Sequence, residues 1–267
     1  MSMRLLVLAL VLHATCAAAE SIHLAPLGTV VSGSFDLAGK SIPLPAGNFV
    51  LAATTVTETG PGFDGSISNP RPKVARVLLV QIEPPRLRAA VMARAVLKTE
   101  SYRYTWAGNP CKKEDTLYRA DLARSVGEES ENCLLVDHVI GAFNPRSQGI
   151  WKDAAAWLGE QQVQLPVPVL IMANVSRTER WQLVAASYAF NPRMYGCDAP
   201  RSRSWADSPW NKKSIDGDPQ RVRFVESVVG YGKAMQQHFD ALVAGRQSTI
   251  EKAPSIYSCA AAQAALN

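Results

Sequence analysis

Apolar and polar positions alternate along the first half of the chain, a pattern typical of half-buried β-strands. Residues 34–37 and 41–44 flank an Ala-Gly-Lys turn, and residues 47–56 follow with many Val, Thr and Ala residues. Residues 74–82 and 87–97 continue the pattern on either side of a Pro-Pro pair. Because short turns join neighbouring antiparallel strands, these segments predict an antiparallel meander.

A second group of strands is predicted further along the chain. Residues 134–140 form one apolar segment, and residues 167–175 are predicted to pair with residues 181–190 across a polar turn at 176–180. Residues 57–72 are rich in Gly and Pro and predict a loop. The sheet is therefore expected to be large and mostly antiparallel.

Two segments show the three- and four-residue spacing of amphipathic helices. The shorter covers residues 149–161, with Ser147 as a candidate N-cap. The longer covers residues 219–244, where Asp218 can cap the N-terminus and Gly245 can end the helix. Its predicted buried stripe consists of Val222, Val225, Val229, Met235, Phe239 and Leu242. The predicted fold class is α+β, a mostly antiparallel sheet with a long amphipathic helix late in the chain and two disulfides.

The N-terminal residues depart from this pattern and are typical of a secretory signal peptide. Arg4 precedes an apolar run at residues 5–12, and three alanines at residues 17–19 supply a cleavage site before Glu20. The apolar run is far shorter than the roughly 20 residues that span a bilayer. The chain is expected to be exported to the periplasm or the medium, with no membrane-spanning segment after cleavage.

Cysteine usage fits an oxidising destination, because cleavage leaves four cysteines, enough for two disulfides. Three connectivities are possible. The favoured one pairs Cys111 with Cys133 and Cys197 with Cys259, since each bridge then closes a loop within one half of the chain. No Cys-x-x-Cys pair is present, so no metal site is predicted.

The composition bounds the class of protein. Hydrophobic residues make up 47% of the 267 residues, which excludes wholesale disorder. The formal net charge is +5 at pH 7, but basic and acidic residues are interspersed, so nucleic-acid binding is not predicted. We expect a signal peptide at 1–19, one α+β domain at 20–247, and a tail at 248–267 tied to the domain by Cys259.

Familiar catalytic motifs do not occur in the sequence. It contains no Gly-x-Ser-x-Gly elbow, phosphate-binding loop, dinucleotide fingerprint or His-Glu-x-x-His helix, and no cofactor is predicted. His138 and Asp137 are candidate catalytic residues, because histidine can act as a general acid or base with a carboxylate. Neighbouring strand residues point to opposite faces, which argues against a dyad of these two. A hydrogen-bonded sheet histidine is the simpler interpretation.

Residues 191–218 combine basic and aromatic side chains. The candidate ligand-binding residues are Arg201, Arg203, Trp205 and Trp210. Guanidinium groups pair with anions, and flat rings stack on sugars or cations. The alternative interpretation is a long surface loop whose tryptophans pin it to the core.

Residues 42–49, the regions around Cys111 and Asn132-Cys133, and the late helix with its aromatic residues resemble uncharacterised secreted bacterial proteins. This resemblance covers most of the mature chain and implies an exported, periplasmic bacterial protein, without implying an activity. The expected function is non-catalytic: binding of an envelope protein or an anionic envelope component. The alternatives are a secreted hydrolase that uses His138 or scattered carboxylates, and an exported structural subunit.

Overall fold

The computed structural model describes residues 21–58, 72–97, 110–122, 130–144, 146–165, 169–179, 182–202, 204–248 and 253–260. An eight-stranded antiparallel sheet forms its centre. The strands are β1 (Val30–Leu37), β2 (Lys40–Glu58), β3 (Lys73–Glu83), β4 (Arg86–Val96), β5 (Tyr118–Asp121), β6 (Ser130–Val139), β7 (Leu170–Glu179) and β8 (Gln182–Phe190). Their order across the sheet is β1-β2-β3-β4-β8-β7-β6-β5, so two four-stranded meanders join where β4 pairs with β8.

Two α-helices flank the sheet. Helix α1 (Ile150–Glu160) lies over β2 and β3, and helix α2 (Pro219–Val243) packs on the opposite face against β6, β7 and β8. Short 3-10 helices occur at Ile22–Leu24, Pro110–Lys112, Pro192–Tyr195 and Ile215–Gly217. The α+β class, the mostly antiparallel sheet and the long late helix are confirmed.

The central strands are buried on both faces. In β3, Val77 and Leu79 contact the core beneath α2, whereas Leu78 and Val80 contact the core beneath α1, and all four are fully buried. Alternating residues of one strand thus supply two hydrophobic layers, which is why β3 has an almost continuous apolar sequence.

Helix α2 begins as its sequence predicts. The Asp218 carboxylate accepts hydrogen bonds from the backbone N–H groups of Gln220 (2.9 Å) and Arg221 (3.3 Å). The predicted buried stripe is only partly correct, because Val222, Val229 and Leu242 are half-buried. The fully or nearly fully buried positions are Phe224, Val225, Val228, Tyr231, Gly232, Met235, Gln236, His238, Phe239 and Val243.

Gly232 explains how closely α2 approaches the sheet. A Cβ atom at this position would lie 2.6 Å from Leu134 Cδ1 and 3.2 Å from Ala173 Cβ, two residues of β6 and β7. The helix therefore contacts the sheet most closely at a glycine, and the larger aromatic residues Tyr231 and Phe239 are buried in the same core before and after it along the helix.

The predicted strand ends are wrong at one end of the sheet. Residues 176–179, expected in a turn, continue β7, and β6 begins at Ser130 rather than at residue 134. Polar residues extend these strands because they find partners there: Ser176 Oγ donates to Glu131 Oε1, and Arg177 Nε lies 3.0 Å from Asp240 Oδ1. Similarly, β2 is one strand where two were predicted, and it includes residues 57–58. Strand β5 was not predicted.

The proposed cap of α1 is also wrong. The Ser147 hydroxyl donates to the carbonyl oxygen of Ala142 at 2.8 Å, and the N-cap position is occupied by Gly149, whose φ of 58° suits glycine. The helix itself is confirmed, with Ile150, Ala154 and Leu158 buried against the sheet.

Both favoured disulfides are present. Cys111 is bonded to Cys133, with 5.7 Å between their Cα atoms, and this bridge joins the segment before β5 to β6. Cys197 is bonded to Cys259, with 5.1 Å between Cα atoms, and ties residues 253–260 to the segment after β8. The predicted signal peptide and residues 59–71 of the loop predicted at 57–72 lie outside the described residues.

Candidate functional site

Three of the four candidate ligand-binding residues of the 191–218 segment are described, and they differ in exposure. Trp210 is fully buried, with its ring 5.8 Å from that of Phe224 on α2, so it pins the segment to the core. Arg201 is exposed, Trp205 is half-buried, and Arg203 lies outside the described residues. Trp210 is therefore a structural residue of the segment rather than a surface for a ligand.

Trp205 instead meets the other pair of candidates. Its ring stacks on the His138 imidazole, with 5.0 Å between centroids and 14° between planes. His138 Nε2 lies 3.1 Å from the Trp205 carbonyl oxygen, and since a carbonyl only accepts, Nε2 carries the proton in this contact. The Lys113 ammonium lies 5.3 Å from the Trp205 ring centroid, a cation–π distance. We call Lys113, Asp137, His138 and Trp205 the His138 cluster.

Asp137 and His138 meet despite being neighbours on one strand. The Asp137 carboxylate accepts the backbone N–H of His138 at 2.8 Å, and Oδ1 lies 3.3 Å from His138 Nδ1. β5 pairs with β6 only as far as Val136, so Asp137 and His138 lie beyond that pairing. The two side chains approach each other, but His138 Nδ1 forms no hydrogen bond with a described residue.

The electrostatics of the His138 cluster stabilise the ionised carboxylate. Burial alone would raise the pKa of Asp137, but the hydrogen bonds from His138 and Lys113, together with the Lys113 charge, lower it below its usual value. The His138 side chain has no exposed surface. The cluster thus holds the 191–218 segment against the end of β6, and its imidazole is out of reach of a substrate.

The other histidines also hold parts of the chain together. His238 on α2 lies 2.9 Å through Nε2 from the Ser41 carbonyl oxygen, and its Nδ1 is hydrogen-bonded to Ser248. His23 Nδ1 lies 2.8 Å from Ser21 Oγ near the first described residues. His238 is buried, with 7% of its surface exposed.

A second group of charged residues lies across the sheet, on the face that carries α1. Arg76 of β3 is directly opposite Arg94 of β4. Following the register, Arg94 neighbours Ala185 of β8, and Ala185 neighbours Ser176 of β7. Ser176 Oγ donates a hydrogen bond to Glu131 of β6. We call Arg76, Arg94, Ser176 and Glu131 the charged row.

The arginines of the charged row are not neutralised within the described part of the chain. Neither Arg76 nor Arg94 forms an ion pair there, although both are only partly exposed. Burial and the charge of Arg76 lower the pKa of Arg94, and Glu131 opposes the shift only in part. Like charges directly opposite on neighbouring strands destabilise a sheet. The pair is therefore a place where an added anion would be stabilising.

Glu131, at the other end of the row, is also a charged residue largely removed from water. Burial raises the pKa of Glu131, and Asp121 on β5 raises it further, whereas the Ser176 hydrogen bond and Arg94 oppose the shift. Glu131 forms no ion pair with a described residue either. The row thus carries positive charge on β3 and β4 and an acidic residue on β6.

Sequence reasoning missed the charged row because its members are far apart along the chain. In the sequence, Arg94 alternates with the apolar residues of its strand, whereas Arg76 stands inside a mostly apolar strand. The sequence does show one arginine inside each of two consecutive predicted strands. Only the register of β3 against β4 makes them neighbours.

Large exposed apolar side chains among the described residues are few: Leu24, Leu27, Val30, Val56 and Leu122. No helix within the described ranges is both long enough and apolar enough to cross a membrane. Those ranges also contain no group of three or more His, Cys, Asp or Glu residues arranged to hold a metal ion. Compared with known proteins, the chain matches no family model, no curated protein and no solved structure.

Proposed function

We propose that this protein is an exported, non-catalytic binding protein that recognises an anionic component of the cell envelope through the charged row. The observation that carries the proposal is the cross-strand pair Arg76 and Arg94, which lacks a carboxylate partner among the described residues. Guanidinium groups bind carboxylates and phosphates through paired N–H donors. Two of them side by side, partly withdrawn from water, suit such a ligand.

The periplasm or the medium is the proposed location. The predicted signal peptide at residues 1–19 and the two disulfides support it, since structural disulfides persist in oxidising compartments. The envelope is also where an exported binding protein meets lipids, glycans and other proteins that carry anionic groups.

The burial of His138 favours binding over hydrolysis. A hydrolase that used His138 would need the imidazole to line a cleft beside a carboxylate. The carboxylate of Asp137 is close, but the imidazole is covered and already contacts the Trp205 carbonyl. The charged row contains no histidine, and its serine hydroxyl is engaged by Glu131.

Thermal unfolding of the mature protein with added inorganic phosphate or hexanoate tests this proposal. At constant ionic strength, the midpoint temperature is expected to rise with either anion, because a ligand that binds the folded state stabilises it. Arg94→Gln and Arg76→Gln are expected to abolish the rise. Arg146→Gln, which removes an exposed arginine next to α1, is the matched control and should keep it.

The arginine variants should fold, because each removes one of two like charges without creating an unpaired carboxylate. An equal rise in Arg94→Gln and the wild type would exclude the charged row as the site. Loss of the rise in an Arg201→Ala/Trp205→Ala variant alone would place anion binding in the 191–218 segment instead. No rise at all in the wild type would contradict anion binding.

A further inference from the structure

We infer that the charged row binds a dipolar molecule, with an oxyanion held by Arg76 and Arg94 and an ammonium group held by Glu131. This inference rests on the proposed function and specifies the ligand class of the same site. The candidates are short peptides and ω-amino acids, which carry a carboxylate several ångströms from their ammonium group, and aminoalkyl phosphates, which carry a phosphate.

The separation of charge along the row is the first argument. The two basic residues are on β3 and β4, and the acidic residue Glu131 is on β6, all on one face of the sheet. A site for a simple anion needs only the basic half. An acidic half aligned with it would repel an anion that extended along the row, but would attract one that carried a cation at its far end.

The strands between the two halves carry small, uncharged side chains. Ala185 of β8 and Ser176 of β7 lie directly between Arg94 and strand β6. On the neighbouring rung, Ser187 Oγ donates to Asn174 Oδ1 at 2.6 Å, which leaves the Asn174 amide N–H groups as donors. This surface lies between the charged groups without neutralising either of them.

The distance across these strands fits a short linear molecule. Three strand spacings separate β4 from β6, about 14 Å between backbones. Both charged side chains shorten that gap, because Glu131 leans over β7 to reach Ser176 and Arg94 has a long side chain. Arg94 and Glu131 influence each other's ionisation, yet they form no ion pair. A ligand with opposite charges several ångströms apart would bridge them.

Calorimetric titration of the mature protein with three probes that share a six-carbon chain tests the inference. The probes are 6-aminohexanoate, which carries both charges, hexanoate, which lacks the ammonium group, and hexylamine, which lacks the carboxylate. The wild type is expected to bind 6-aminohexanoate about 10-fold more tightly than hexanoate, the size of one charge-assisted contact. Hexylamine should bind most weakly. O-phosphoethanolamine, in a fourth titration, tells a phosphate ligand from a carboxylate one.

Glu131→Gln is the decisive variant, because the amide keeps the size of the side chain and removes its charge. It is expected to lose the preference for 6-aminohexanoate and to bind hexanoate at least as well as the wild type. Arg94→Gln should weaken the binding of 6-aminohexanoate and of hexanoate about equally. Arg146→Gln should leave every titration unchanged.

The outcomes separate this inference from the proposed function. Equal affinity of the wild type for 6-aminohexanoate and hexanoate, with both lost in Arg94→Gln, would overturn the dipolar ligand and leave the anion site standing. An undiminished preference in Glu131→Gln would likewise overturn it, since the ammonium group would then bind elsewhere. Binding of neither acid nor of O-phosphoethanolamine would overturn both proposals.

Discussion

At the scale of single residues, the charged row carries a stability cost that a purely structural sheet would avoid. Arg76 and Arg94 repel each other across a strand pair, and Glu131 is held where burial disfavours its charge. Functional sites can retain such destabilising groups at a cost in stability. In contrast, both oxygens of the buried Asp137 carboxylate accept hydrogen bonds, one from the Lys113 ammonium and one from the backbone N–H of His138.

The pH dependence of stability is expected to report on Glu131. Because its pKa is raised in the folded state, the folded protein holds this proton more tightly than the unfolded chain does. The stability that the proton contributes is fully present below the unfolded value of 4.5 and is lost as the pH rises through the folded pKa. Relative to Glu131→Gln, the wild type should therefore lose stability as the pH rises.

Thermal unfolding of both proteins in chloride buffers, from about pH 4 to about pH 8, measures this difference. Glu160→Gln, at the exposed C-terminal end of α1, is the matched control for the loss of one carboxylate. A difference between wild type and Glu131→Gln that stays constant over the whole range would show that Glu131 ionises in the folded protein as it does in the unfolded chain.

At the scale of elements, the contact of α2 with the sheet depends on one of two nearby glycines. Gly232→Ala is expected to lower the free energy of unfolding by about 1 to 3 kcal/mol, because its methyl group would meet Leu134 and Ala173. Gly230→Ala, two positions earlier, has open space and should raise it by about 0.5 to 1 kcal/mol. Urea unfolding of both variants measures the two changes, and changes of the same sign would contradict the close approach at Gly232.

Periodicity predicted most elements and failed where polar residues are buried. The α2 cap at Asp218 and the buried strands of the sheet were predictable, because each depends on neighbours in sequence. The ends of β6 and β7 were not, since Ser176 and Arg177 look like turn residues until Glu131 and Asp240 are placed beside them. The buried face of α2 also differs from the predicted stripe. The helix contacts the sheet most closely at Gly232, and a glycine does not count as apolar in a periodicity.

The candidate sites, too, were predictable only as far as they depend on neighbours in sequence. The aromatic and basic composition of the 191–218 segment was visible in the sequence, but whether Trp210 faced a ligand or the core depended on its packing against Phe224. The charged row had no local signature, because it is created by the register of five strands. The residue types alone led to the prediction of a binding protein. The place now proposed for binding could be identified only from the pairing of the strands.

At the scale of the whole molecule, the disulfides have unequal roles. The bridge between Cys111 and Cys133 spans 22 residues at the β5 edge of the sheet. The bridge between Cys197 and Cys259 spans 62 residues, encloses α2 and holds residues 253–260 against the segment after β8. Cys259 is fully buried and belongs to the core that α2 shares with the sheet.

Removing the longer bridge is expected to destabilise the protein more. In the chain-entropy model, a bridge over 62 residues restricts the unfolded chain by about 1 kcal/mol more than one over 22 residues. Urea unfolding of Cys197→Ala/Cys259→Ala and Cys111→Ala/Cys133→Ala measures both losses under identical conditions. Limited proteolysis of the folded variants should cut near residues 253–260 only in the first, because that variant alone releases this segment. An equal or larger loss on removing the shorter bridge would show that native packing at the β5 edge, rather than the constraint on the unfolded chain, sets the contribution of these bridges.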